Sequence, residues 1–385
     1  MNVPPAVPVI HKRASRLSIS AFFFIAGLCF ASWASRIPDI KVQLQLSDAG
    51  LGVVLLALPV GLMISLPLSG WLVTLFGSRR IVLLSSLLYA AILPVAGLAQ
   101  TSSQLAVVLF LYGLAGNLMN IAVNTQAVNL ERLYGRSIMA SFHGLWSFAG
   151  FTGAFIGTAM INFHLTPFRH FVSISIVAWI IIFLVYRNVL KQDINTDPGR
   201  PLFARPDATL LKLGLIALCC MICEGTMFEW SGVYFQKEVQ TPKGLTTLGY
   251  TAFMSTMAGG RFFSDRLTTR FGIRPVLQVS GLVIATGLLI AISFPNIYAA
   301  TAGFMFVGFG VCSVVPLVYS AAGKSKQFSS GVALAAVSTI GYLGFLAGPP
   351  LIGFIAEAAN LRWSFGLIAL LGFSTTLIAS KTRFT

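Results

Sequence analysis

The chain has 385 residues, of which 56% are apolar and only 10% charged, and its mean hydropathy is +0.84. Water-soluble domains carry about 25% charged residues, so an ordinary soluble protein is excluded. The net charge of +15 does not mark a nucleic-acid binder, because the basic residues stand singly between apolar runs; loops held on the cytoplasmic face of a membrane have that distribution.

At roughly 20 apolar residues per crossing, the length accommodates about twelve spans. Residues 1–16 form a polar tail with His11, Lys12, Arg13 and Arg16, and Leu17–Ser35 is then an uncharged run of 19 residues. No small-residue cleavage site follows, so this run reads as a retained span and not a signal peptide. Arg36-Ile-Pro-Asp39 closes it, since Pro38 disfavours helix at Ile37. Span two covers Ala49–Leu75. The stretch 81–130 holds no charge and must fold back once, at Gln100–Gln104, giving spans three and four. Spans five and six cover Ser137–Phe163 and Phe171–Tyr186.

Residues 187–212 form the most charged stretch of the chain, basic and proline-containing, with Arg187, Lys191, Pro198, Pro201, Arg205 and Lys212. It reads as a solvated linker between two membrane halves, 17–186 and 213–380. In the second half, spans seven and eight cover Leu213–Phe235 and Thr246–Ser264. Pro275–Gly323 is uncharged and folds back near Phe294-Pro-Asn296, giving spans nine and ten. Spans eleven and twelve, Ser329–Ala356 and Trp363–Ser380, precede a basic tail, 381–385. Twelve spans put both termini on one side. Of the 26 basic residues, 20 fall on that side, Arg261 among them, and 6 on the other. The asymmetry places both termini and the linker in the cytoplasm of a bacterial inner membrane. All five cysteines lie within apolar runs, and the Cys220/Cys223 pair has no second pair or histidine to complete a metal site; packing is their role, and no cofactor is expected.

A shift of 195 residues brings Leu72, Thr74, Phe76, Gly77 and Arg79 onto Leu267, Thr269, Phe271, Gly272 and Arg274. Ala140 and Gly153 fall likewise on Ala335 and Gly348. Parallel halves related by an axis along the membrane normal are one architecture of secondary transporters. The segment Gly70-Trp-Leu-Val-Thr-Leu-Phe-Gly77-Ser-Arg79-Arg80 resembles the loop between spans two and three of the major facilitator superfamily, although Thr74 stands where that family has an acid and Leu75 where it has a base. The resemblance covers the whole chain. It implies an all-α membrane fold of two six-helix halves, a cavity lined by spans one, four, seven and ten, a monomer, and gating loops at Gly70, Gly77, Arg79 and Arg80 and at Asp265, Arg270, Gly272 and Arg274. Four further segments, 36–39, 124–132, 142–150 and 224–230, resemble a bacterial branch near the fucose-permease-type sugar transporters.

Ionisable groups inside apolar spans are functional candidates by default. Glu224 and Glu229 stand inside span seven, about 140° apart on a regular helix. A carboxylate in a dry cavity can hold a proton on one side of the membrane and release it on the other, so Glu224 is the candidate coupling site and Glu229 assists it or binds solute. Structural hydrogen bonding between helices is the plainer alternative for both. Asn117, Asn120 and Asn124 share one face of span four, where their amides suit a solute's hydroxyls or glue helices together. His143 is a candidate relay or solute contact, and Trp33 and Trp230 are candidates to stack on a ring, although tryptophan also concentrates at membrane interfaces. Arg36 either pairs with Asp39 or Glu229, or snorkels to the interface.

No phosphate-binding glycine-lysine loop is present, and the four histidines are dispersed, which argues against ATP-driven transport and against an enzyme. Two transport readings remain: proton-coupled symport of a sugar-like polar solute, or proton-antiporting export of lipophilic or cationic compounds. The first draws on the asparagine face and on the resemblance. The second draws on the 31 phenylalanines and on acids within a cavity.

Overall fold

The structure, a computed structural model, describes residues 12–135, 138–191, 207–323 and 330–382. Most of the tail 1–16, the middle of the linker (192–206) and Lys324 and Lys326 lie outside the described residues. Lys12–Ser35, Asp48–Phe76, Ser78–Ala96, Ser102–Tyr134, Met139–Asn162 and Pro167–Val185 are spans one to six. Ala208–Lys237, Leu248–Phe271, Ile273–Ser293, the broken pair Ile297–Val311 and Val314–Gly323, Ser330–Ala358 and Leu361–Ser380 are spans seven to twelve. Among the described residues, eleven of these twelve are long and apolar enough to cross a bilayer. Span eight is the exception; Arg261, Asp265, Arg266 and Arg270 stand in its sequence.

Hydrocarbon offers a backbone no hydrogen-bond partner, so every helix end must be satisfied locally. Thr101 accepts from the Gln104 amide at 3.2 Å, Asp207 from Leu210 at 2.7 Å, and Asn296 from Tyr298 and Ala299. These are the short polar side chains that cap orphan amides best. Glu131 does the same at longer range: its Oε2 accepts from the amides of Ile138 and Met139 at 2.8 and 2.9 Å, setting a carboxylate against the positive end of span five.

Charge does not end these helices. Glu131 and Arg132, expected in a loop, occupy the last turn of span four, and span eight runs on through Arg266 and Arg270 to Phe271. Lys12, Arg13 and Arg16 are likewise part of span one. Glycine ends them instead, at Gly77, Gly135 and Gly272, each with positive φ. Span one does break at Arg36, but the chain resumes at once as a short helix, Ile37–Gln43, with Pro38 in its first turn, where proline is tolerated. Span ten breaks at Cys312–Ser313; Pro316 lacks the amide that would bond to the carbonyl of Cys312.

The 195-residue repeat is present in the backbone. Gly77 and Gly272 both end a helix, with φ of 78° and 84°. Their amides donate to Val73 O and Thr268 O, residues at the same offset. The arginines two residues on are also matched: Arg79 stacks over Tyr186, 4.9 Å from the ring centroid, and Arg274 donates to Ser380 O. Each thus ties its loop to the end of the last span in its own half. The halves meet along two seams, span two against span eleven and span five against span eight. The repeat interchanges these seams, as a pseudo-twofold axis between the halves requires.

Candidate functional site: a cavity between the halves

Between the two seams lies a cavity of about 320 Å³. Spans one to five of the first half and spans seven, eight and eleven of the second line it. Span ten, expected in the lining, contributes nothing to it, and span eleven takes that place with Tyr342 and Phe345.

On the first-half wall, span four presents Asn117 and Asn120. Asn117 is buried and its Nδ2 makes no hydrogen bond. Asn124 is not in the lining. Its amide turns back along the helix to Asn120, donating to the backbone oxygen at 2.9 Å and to the side-chain oxygen, which leaves the Asn120 amide nitrogen for the cavity. Tyr89 and Tyr112 stack at 4.1 Å between ring centroids. His143 stands edge-on to Phe23 at 5.2 Å on the same wall.

On the second-half wall, Glu224 and Glu229 both reach the cavity from span seven and are each 8% exposed. The Glu224 Oε1 accepts a long contact from the Cys220 thiol at 3.9 Å, whereas the Glu229 Oε2 has no partner. Arg261 enters from span eight. Its guanidinium donates across the interface to Ser147 Oγ and, at 3.5 Å, to His143 O, and lies within coulombic reach of Glu224. Arg261 is therefore a cavity residue and not one of the 20 basic residues of the terminal face; the asymmetry becomes 19 to 6. Its signal was present in the sequence, as an arginine three residues before the end of an expected span.

Phe30 and Trp146 from the first half meet Phe228 from the second in edge-on contacts at 5.4 and 6.3 Å. These rings cover the cavity on the side away from the termini. Beyond them Trp33 and Trp230 are fully buried, and neither is in the lining.

At the face away from the termini, polar contacts close the two halves on each other. Asp48, 4% exposed, holds Lys41 of its own half at 2.8 Å and Lys237 of the other at 2.6 Å. Glu357 in span eleven accepts from the amides of Asp48 and Ala49 at 2.9 and 3.3 Å, capping span two from across the interface. Arg36 pairs with Asp39 at 2.6 Å and not with Glu229, and Lys243 reaches Asp39 at 3.5 Å. Thr158 bonds to Thr247. Gly52 and Gly353 let spans two and eleven touch: a Cβ on Gly353 would stand 2.5 Å from Asp48 O. Nearer the terminal face, a Cβ at Gly70 of span two or at Gly259 of span eight would meet nothing within 4 Å among the described residues.

The family model described as the Major Facilitator Superfamily matches residues 18–330 and 247–384. The chain belongs to this superfamily. An uncharacterised transporter of the major facilitator type from Yersinia pestis is 36% identical over 368 residues, covering 94% of this chain and 96% of that one. The membrane protein MosC of Rhizobium meliloti is 33% identical over 354 residues, covering 91% and 86%. Among solved structures, a bacterial homologue of the lysosomal transporter Spinster, inward-facing and occupied, superposes with a TM-score of 0.76 at 14% identity, covering 95% and 96%. The nucleoside transporter NupG superposes with a TM-score of 0.73 at 13% identity, covering 95% and 99%. As a member of this superfamily the chain is a multi-pass membrane transport protein and not an enzyme.

Of the residues expected in gating loops, Gly77, Arg79 and Arg80 line a pocket with Tyr186 and Lys191, while Arg270 lies over the ring of its neighbour Phe271. The side chain of Asp265 lies outside those described.

Proposed function

We propose that this superfamily member is a secondary transporter that moves a small, sugar-like polar solute by alternating access, with proton symport through Glu224. The observation that carries the reading is the composition of the cavity. Its first-half wall offers the unbonded Nδ2 of Asn117 and the amide of Asn120, whose Oδ1 accepts from Asn124, and its second-half wall offers two buried acids, Glu224 and Glu229. Amides donate to and accept from hydroxyls, and a buried acid can exchange a proton as the surrounding solvent changes. Rocking of the halves about this site exposes it to one side at a time, with the loops at Gly77 and Gly272 as the flexing points. With the termini in the cytoplasm, the closed far face makes this the inward-facing state. The likeness of segments 36–39, 124–132, 142–150 and 224–230 to the fucose-permease-type branch agrees with uptake of a polar solute.

One observation favours a second reading, export of lipophilic cations: Phe30, Trp146 and Phe228 present aromatic surface to the same cavity. A thermal-stability screen of the purified protein separates the two. A ligand that binds only the folded state raises the melting temperature. Stabilisation by monosaccharides or polyols, lost in Asn117→Ala and Asn120→Ala, supports the first reading. Stabilisation by lipophilic cations alone, sensitive to Glu224→Gln, replaces it with the second. Coupling is read separately, as solute-induced proton uptake in proteoliposomes that Glu224→Gln abolishes.

A further inference from the structure

The acids of the cavity outnumber its bases. Two carboxylates, Glu224 and Glu229, face it with one guanidinium, Arg261. That guanidinium bonds to Ser147 Oγ and His143 O through Nη1 alone, its Nε is buried and unbonded, and it acts electrostatically on Glu224. Among the described residues no ion pair includes Glu229, which is 8% exposed with Oε2 unbonded. The rings of Phe30, Trp146 and Phe228 line the cavity with it, and aromatic faces attract cations. Across the cavity, the unbonded Nδ2 of Asn117 offers a donor to a solute oxygen.

We propose that the solute of this cavity carries a protonated amine as well as hydroxyl groups: an amino sugar or aminated polyol whose ammonium pairs with Glu229 against the aromatic rings, while its hydroxyls meet Asn117 and Asn120. This inference rests on the reading of the cavity as a polar-solute site. A buried acid without a counter-ion keeps its proton, because the charged form is poorly solvated; an arriving ammonium lets it release that proton to solvent and form an ion pair. A neutral sugar gains no such pair, and a sugar acid brings a charge of the same sign as the carboxylate. Glu224, already opposed by Arg261, remains free for the coupling proton.

The test is a ranking within matched triplets: a hexose, its 2-amino-2-deoxy form and its uronic acid, each titrated by thermal shift on the wild-type protein and on Glu229→Gln. The expected result is an amine bound at least tenfold more tightly than the neutral hexose and a uronic acid that binds more weakly still, with the amine's advantage lost in Glu229→Gln. A hexose equal to the amine, a uronic acid that binds best, or an amine advantage retained in a folded Glu229→Gln protein overturns the inference and leaves the polar-solute reading standing. Binding of tetraphenylphosphonium with no response to any triplet overturns both. Should Glu229→Gln not fold, the wild-type ranking decides by itself.

Discussion

The closed far face yields a quantitative expectation. Lys237 and Glu357 both engage span two from the opposite half, through the carboxylate and the amide of Asp48 respectively, so these contacts exist only while the far face is shut. Lys237 is 45% exposed; an ion pair so solvated contributes about 1 kcal/mol at most. Converting Glu357 to glutamine replaces a charged acceptor with a neutral one, a loss of about 1 kcal/mol. The double variant Lys237→Met/Glu357→Gln therefore shifts the balance of far-face-closed and far-face-open states by about 2 kcal/mol, or roughly 30-fold. Because both partners share Asp48, the two effects need not add, and the single variants measure the coupling. Asp48 itself is a poorer target, since its loss also strands the buried Lys41. The assay is a pulsed spin-label distance between Val42→Cys and Leu245→Cys, exposed positions on the far face in opposite halves. All five native cysteines are buried. The expected result is a new long-distance population that grows from single to double variant. An unchanged distance distribution in a double variant with wild-type melting temperature refutes the reasoning, and would mean that packing along the seam, not its charges, holds the face shut.

Three further outcomes follow from named contacts. Gly353→Ala places a methyl 2.5 Å from Asp48 O, against backbone that cannot rotate away; the variant should fold, lose transport and show the long-distance population between spin labels at Val42→Cys and Leu245→Cys. Gly77→Ala and Gly272→Ala put a side chain where φ is 78° and 84°, a conformation close to glycine-only, and each should lower stability by about 2 kcal/mol, read as a fall in melting temperature of similar size for the two. Arg261→Gln removes the positive charge within reach of Glu224; solute exchange without net proton movement should survive while proton-driven accumulation falls, and equal retention of both would show that Arg261 does not take part in coupling.

Much of this protein is legible in one dimension, because a membrane imposes constraints that composition alone must satisfy. The number of spans and their pairing into halves follow from apolar runs of bilayer length, and the repeat follows from matched residues such as Gly77 and Gly272, whose backbone the structure shows to be equivalent. The candidacy of Glu224 and Glu229 follows from the cost of placing an acid in hydrocarbon. Helix boundaries were less legible. Hydropathy marks where a chain leaves hydrocarbon, whereas helices continue past Glu131 or Arg270 until a glycine stops them. The tertiary structure alone decided which side chains meet. Asn117, Asn120 and Asn124 are equivalent by helical spacing, yet only the first two line the cavity, because Asn124 finds its partner along its own helix. Asp48, Lys237 and Glu357 carry no local sign of their closure: they are separated by 189 and 309 residues, and docking of one half on the other is what brings them together. Arg261 makes the same point within the site. Its charge is visible in the sequence, but its bonds to Ser147 and His143 depend on the pseudo-twofold packing that sets span eight against span five.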